Sequence, residues 1–87
     1  MKIKDGFVLR EVGSNYLVIA VGKNAKDFNA MITLNEVGAF LFNKLTNEIS
    51  FEGLVDALLG EYEVDKATAE KDVKAFIEKL QKGNLFD

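Results

Sequence analysis

Short apolar runs typical of β-strands occupy much of the first third of the chain. Residues 7–12 and 16–21 are rich in β-branched residues, and the segment 13–15 (GSN) between them predicts a hairpin with a short loop. After a polar loop at 22–29, the apolar run 30–34 predicts a third strand. Because sequential strands usually pair, we expect an antiparallel meander whose third strand lies at an edge.

A helical period replaces the strand pattern after Asn35. This residue is a good N-cap, because its side-chain oxygen can accept a hydrogen bond from the first helical turn. An apolar stripe then predicts a first helix over 36–45, whereas Phe42 lies off the stripe and could either pack on the next helix or be exposed. Ser50 predicts the cap of a second helix that ends near Gly60.

The third predicted helix starts at Asp65, another good N-cap, and ends near Gly83, the expected C′ residue. At about 100° per residue, its apolar residues share one face and its polar residues form two flanks. We expect one flank to form the wall of a groove beside the third strand. We favour the flank with the small Ala75, which leaves room for an incoming side chain; its members are Thr68, Asp72, Ala75 and Lys79.

Length and composition predict an α+β fold. The 87 residues, of which 48% are hydrophobic, allow one domain over 1–87, with a core that is thin for its size. One face of the sheet should pack on the three helices. The third strand contains neither proline nor lysine, the residues with which proteins often protect a sheet edge, so that edge could accept another strand.

Residues suited to catalysis are scarce. The chain has no cysteine and no histidine, which excludes thiolate nucleophiles, histidine bases and the usual zinc ligands. Its glycines match neither a phosphate-binding loop nor a dinucleotide fingerprint, and its carboxylates fit solvated surface positions. We therefore predict a protein that is not an enzyme and that uses no cofactor or metal.

Charge and hydropathy narrow the classes of partner. The net charge is −3 and the basic residues are spread along the chain, which argues against a nucleic-acid partner. No segment approaches the ~20 apolar residues of a membrane span, and no signal-peptide pattern is present, so we expect a soluble cytoplasmic protein with no membrane partner. A homodimer through the open third strand is one alternative.

Three segments together resemble the PqqD family, whose domain is also known as the RiPP recognition element. They are ITLNEVGAFLF, ISFEGLVDALLGEYEVD and DVKAFIEKLQKGNLF, within a resemblance over about residues 7–86. The resemblance implies a winged helix-turn-helix-like fold of three strands and three helices. It also implies a non-catalytic chaperone that binds the leader of a ribosomally made precursor peptide by strand addition, and presents it to a modifying enzyme such as a radical SAM protein.

The resemblance also implies a binding site. The pairing strand would be Ala30, Met31, Ile32 and Thr33, facing the wall drawn from Thr68, Asp72, Ala75 and Lys79. We expect Ile32→Pro to remove an edge amide and so to abolish leader binding. The connector 43–50 departs from the family pattern, because it lacks a glycine.

The main alternative is a winged helix-turn-helix domain that binds DNA or regulates another protein, with the third helix as the recognition helix. That helix has no arginine, and it carries Asp72 and Glu78, which phosphates would repel. The sequence therefore favours the peptide-binding hypothesis.

Overall fold

The computed structural model describes residues 1–22 and 32–86. An antiparallel sheet in the order β1-β2-β3 precedes three helices. The strands and helices are β1 (Phe7–Val12), β2 (Asn15–Ala20), β3 (Thr33–Leu34), α1 (Glu36–Lys44), α2 (Phe51–Glu61) and α3 (Lys66–Lys82). The predicted α+β arrangement of three strands followed by three helices is confirmed.

The hairpin between β1 and β2 is one residue tighter than predicted. Val12 pairs with Asn15, so only Gly13 and Ser14 form the turn. Gly13 has φ +64°, a conformation that glycine adopts readily and that two-residue hairpin turns favour. As a result β2 starts and ends one residue before the predicted run 16–21.

Side-chain caps start all three helices at the predicted residues. Each cap's oxygen accepts a hydrogen bond from the backbone N–H three residues later, over 2.9, 2.9 and 2.7 Å at Asn35, Ser50 and Asp65. The hydrogen bond from the Thr68 N–H also lowers the pKa of the Asp65 carboxyl, because it stabilises the ionised form. Local chemistry therefore fixes where each helix begins.

The end of α3 differs from the prediction. Gly83 has φ −84° and is the C-cap, while Asn84 takes the left-handed conformation with φ 61°. The role assigned to Gly83 is therefore wrong. A Cβ at Gly83 would lie 2.8 Å from the Cδ1 atoms of both Ile32 and Leu85, so the glycine permits close packing between α3 and the residue before β3.

The core lies between the inner face of the sheet and the helices. Phe42, which the sequence left open, is 2% exposed and belongs to this core. Phe40, on the predicted stripe, is only half-buried and packs edge-to-face on Tyr62 with ring centroids 5.7 Å apart. The buried face of α1 is wider than predicted because this helix contacts β2, β3 and α2 together.

Main-chain hydrogen bonds connect the residues before β1 to the rest of the fold. The Ile3 N–H donates to the Leu45 carbonyl over 2.9 Å, and the Lys4 N–H donates to the Leu85 carbonyl over 2.7 Å. Ile3 also bridges to Phe86 and is 3% exposed. These contacts hold the end of α1 against the segment that follows α3.

Candidate functional site

A groove runs between β3 and the start of α1 on one side and α3 on the other. It consists of two adjoining depressions of about 410 and 300 Å³. Asn35, Gly38, Ala75 and Phe76 line both depressions, and the larger one extends to Thr33 and Lys79. We call this feature the β3–α3 groove.

A hydrogen bond across the groove shows which flank of α3 faces β3. The Lys79 Nζ atom donates to the Thr33 carbonyl oxygen over 3.1 Å. Asp72 and Ala75 lie on the same flank and line the groove, whereas Glu70, on the other flank, lines a separate depression with residues of α2. The flank of α3 that contains Ala75 therefore faces β3. The role of this flank in peptide binding stays a prediction.

The register of β3 determines which of its backbone groups face outward. The Val18 N–H donates to the Ile32 carbonyl over 3.0 Å, and Leu17 stands opposite Thr33. In an antiparallel pair, residues that exchange hydrogen bonds alternate with residues that do not. The backbone of Ile32 therefore faces β2, and the N–H and C=O of Thr33 face the outer edge.

This register corrects one expectation and leaves others untested. Proline at Ile32 would disturb pairing inside the sheet, so the expectation that Ile32→Pro removes an edge amide is wrong. The Ile32 side chain is 5% exposed and lies in the core, whereas Thr33 is exposed. Ala30 and Met31, the other two residues of the predicted pairing strand, lie outside the described residues.

Thr68 is the member of the predicted helix wall that lies apart from the groove lining. Its backbone N–H donates to the carboxylate of Asp65, the N-cap of α3, and neither depression is lined by Thr68. The groove instead ends near Asp72, one helical turn further along α3.

Sequence reasoning missed several residues of the groove floor, of which Gly38 is the most informative. A Cβ added at Gly38 would lie 3.0 Å from the Leu34 Cβ and 3.5 Å from the Asn35 side-chain oxygen. Glycine therefore leaves this part of the groove floor without a side chain. The sequence did contain a signal for Gly38, because this residue lies three positions after the N-cap Asn35. At that spacing its backbone N–H donates to the Asn35 side chain. Phe76, assigned to the core from its periodicity, is 8% exposed and also forms part of the floor.

Charge is distributed unevenly along the groove. Lys79 lies at the end beside β3, and Asp72 lies at the end beside α1. They are seven positions apart on α3, which corresponds to about 10 Å along the helix axis. Among the described residues no group of three or more carboxylates is arranged to hold a metal ion, and no helix is long and apolar enough to cross a bilayer.

An exposed sheet edge beside a helix-lined groove is a geometry suited to extended peptides. The sequence matches the family described as Coenzyme PQQ synthesis protein D (PqqD) over residues 7–85. The chain therefore belongs to the PqqD family, as the three quoted segments indicated.

Two solved structures share the fold. One is TbiB1 in complex with the TbiA(beta) leader peptide, with a TM-score of 0.77 and 26% identity, covering 100% of this chain and 95% of that chain. The other is lasso peptide synthetase B1 complexed with the leader peptide, with a TM-score of 0.70 and 19% identity, covering 97% and 93%. The second likeness concerns the fold alone. No curated protein sequence is significantly similar to this chain.

Proposed function

We propose that this protein binds the leader segment of a ribosomally made precursor peptide as a fourth strand on β3. The observation that carries the proposal is the outward-facing backbone of Thr33 beside the β3–α3 groove. Membership of the PqqD family supports it, as do two related folds in complex with leader peptides.

Strand addition would use two different features of the site. The Thr33 N–H and C=O would supply main-chain hydrogen bonds, which do not depend on the peptide's sequence. The peptide residue opposite Thr33 would point to the outer face of the sheet, and the residues on either side of it would point toward α3. The floor made by Gly38, Ala75 and Phe76 is suited to an apolar side chain at one of those positions.

The biochemical role we propose is delivery of the precursor without catalysis and without a cofactor. Docking the leader would hold the rest of the precursor near a modifying enzyme, such as a radical SAM protein, at a high effective concentration. The Thr33 edge would hold the leader while the modified part of the peptide extends away from the groove. Because ribosomes make the precursor, we place this step in the cytoplasm.

A pair of proline variants tests the edge directly. Thr33→Pro removes the outward amide of β3, and proline is tolerated at the edge of a sheet. The matched control is Glu11→Pro on the opposite edge. The Val21 N–H bonds the Gly6 carbonyl, and alternation along β1 from that pair turns the Glu11 N–H away from β2.

The ligands are synthetic leader peptides of precursors encoded beside the gene, and the measurement is the dissociation constant by calorimetry. We expect Thr33→Pro to weaken binding at least about tenfold, because it removes a backbone hydrogen bond of about 0.5–1.5 kcal/mol and places a ring at the docking edge. Glu11→Pro should bind like the parent protein. A folded Thr33→Pro protein with unchanged affinity would exclude pairing on β3.

A further inference from the structure

The ammonium group of Lys79 occupies the same acceptor that an added strand would need. Its hydrogen bond to the Thr33 carbonyl, over 3.1 Å, joins two exposed residues across the mouth of the β3–α3 groove. An arriving peptide N–H would share this oxygen or displace the ammonium from it. In either case the peptide would cover Lys79 and remove part of its water.

Among the residues that the structure describes, no carboxylate of the larger depression can compensate for that loss of hydration. Its described lining includes no Asp or Glu. Asp72 lies about 10 Å away along α3, at the other end of the groove. A lysine ammonium is strongly hydrated, and covering it without an anionic partner is unfavourable.

We infer that Lys79 is a specificity-determining residue that selects leaders carrying an aspartate or glutamate at a groove-facing position. This inference rests on the proposed function and specifies the peptide class that the same site takes. The protein's net charge of −3 gives no general attraction for acidic peptides, and Lys79 is the basic side chain in the described lining of the larger depression.

The geometry of strand addition also places the carboxylate within the leader. The peptide residue opposite Thr33 faces away from α3, so the carboxylate belongs to a neighbour of that residue. The other neighbour, two positions from the acid, lies over the floor formed by Gly38, Ala75 and Phe76. The inferred leader pattern is an apolar residue and an acidic residue with one residue between them.

The test is a double-mutant cycle between protein and peptide. Overlapping synthetic peptides that span the leader of the precursor encoded beside the gene identify the segment that binds. Each Asp or Glu of that segment is then changed to Asn or Gln. Every peptide is titrated against the parent protein, Lys79→Met, and Lys74→Met, which removes an exposed lysine from the other flank of α3.

We expect one carboxylate change to weaken binding about three- to fivefold, near the upper range for an exposed ion pair, in both the parent and Lys74→Met. The same carboxylate change should not alter the affinity of the peptide for Lys79→Met. An equal loss in all three proteins, or a binding segment without any Asp or Glu, would overturn the inference.

The two proposals can fail separately. If no peptide binds and Thr33→Pro makes no difference, the proposed function itself is wrong. If binding depends on Thr33 but no carboxylate is coupled to Lys79, the leader binds at β3 and only the acidic selection is wrong.

Discussion

At Gly83 the end of α3 lies close to Ile32, the residue before β3, and replacing this glycine with alanine should destabilise the fold. An added Cβ would lie 2.8 Å from the Cδ1 atoms of Ile32 and Leu85, closer than side-chain carbons normally approach. The backbone of Gly83, with φ −84°, suits alanine. The contact with these two side chains is therefore the only penalty that we expect.

The magnitude follows from two opposing effects. Replacing a glycine whose backbone conformation suits alanine stabilises a protein by about 0.4–1 kcal/mol, whereas overpacking a core costs about 1–3 kcal/mol. Ile32 and Leu85 are 5% and 0% exposed, so they have little room, although small changes of their side-chain torsions can displace the Cδ1 atoms. We therefore expect Gly83→Ala to lower the free energy of unfolding by about 1 kcal/mol and Tm by about 4–8 °C.

Gly60→Ala is the matched control. Gly60 is exposed near the end of α2, and a Cβ there would meet nothing within 4 Å. This variant should gain about 0.5–1 kcal/mol, so the two glycine replacements should change stability in opposite directions. Urea denaturation, followed by circular dichroism, measures both values. A Gly83→Ala protein as stable as Gly60→Ala would refute the argument that the Ile32 and Leu85 contacts require a glycine.

Two further variants probe the groove and a helix cap. Ala75→Leu should narrow the β3–α3 groove and weaken leader binding, measured by calorimetry. The control Ala67→Leu, on the outer side of α3, should leave binding unchanged. Because both positions are exposed, each variant should change the free energy of unfolding by less than about 0.5 kcal/mol. The Asp65 carboxylate, whose pKa is lowered by folding, contributes stability above its unfolded pKa that is lost as pH falls through the lowered value. On acidification below about pH 4, urea denaturation should therefore show a larger loss for the parent than for Asp65→Asn, which keeps a capping oxygen but does not titrate.

Local sequence signals predicted the elements of the fold well and the long-range contacts poorly. The caps at Asn35, Ser50 and Asp65 were predictable because a cap bonds a backbone group only three residues away. The hydrogen bond from Ile3 to Leu45 joins residues distant in sequence, and no local pattern encodes it. Gly83 was assigned the wrong role for the same reason, since its requirement comes from Ile32.

The candidate site shows the same division between local and long-range information. The small Ala75 correctly indicated the flank of α3 that faces β3. The amide of Ile32 was wrongly taken for an edge amide, because the backbone directions in a strand alternate and depend on its pairing with β2. Only the register of Leu17 opposite Thr33 determines that alternation.

The position of Lys79 also bears on whether a second copy of the protein could occupy β3. In a symmetric pairing of two β3 edges, each copy would bring its own Lys79 ammonium to the shared interface. Like charges that face each other across an interface disfavour association, and the described lining of the larger depression contains no carboxylate that could offset them. A leader peptide with an acidic residue offers the same main-chain hydrogen bonds together with the missing anion. We therefore expect the edge of β3 to favour such a peptide over self-association.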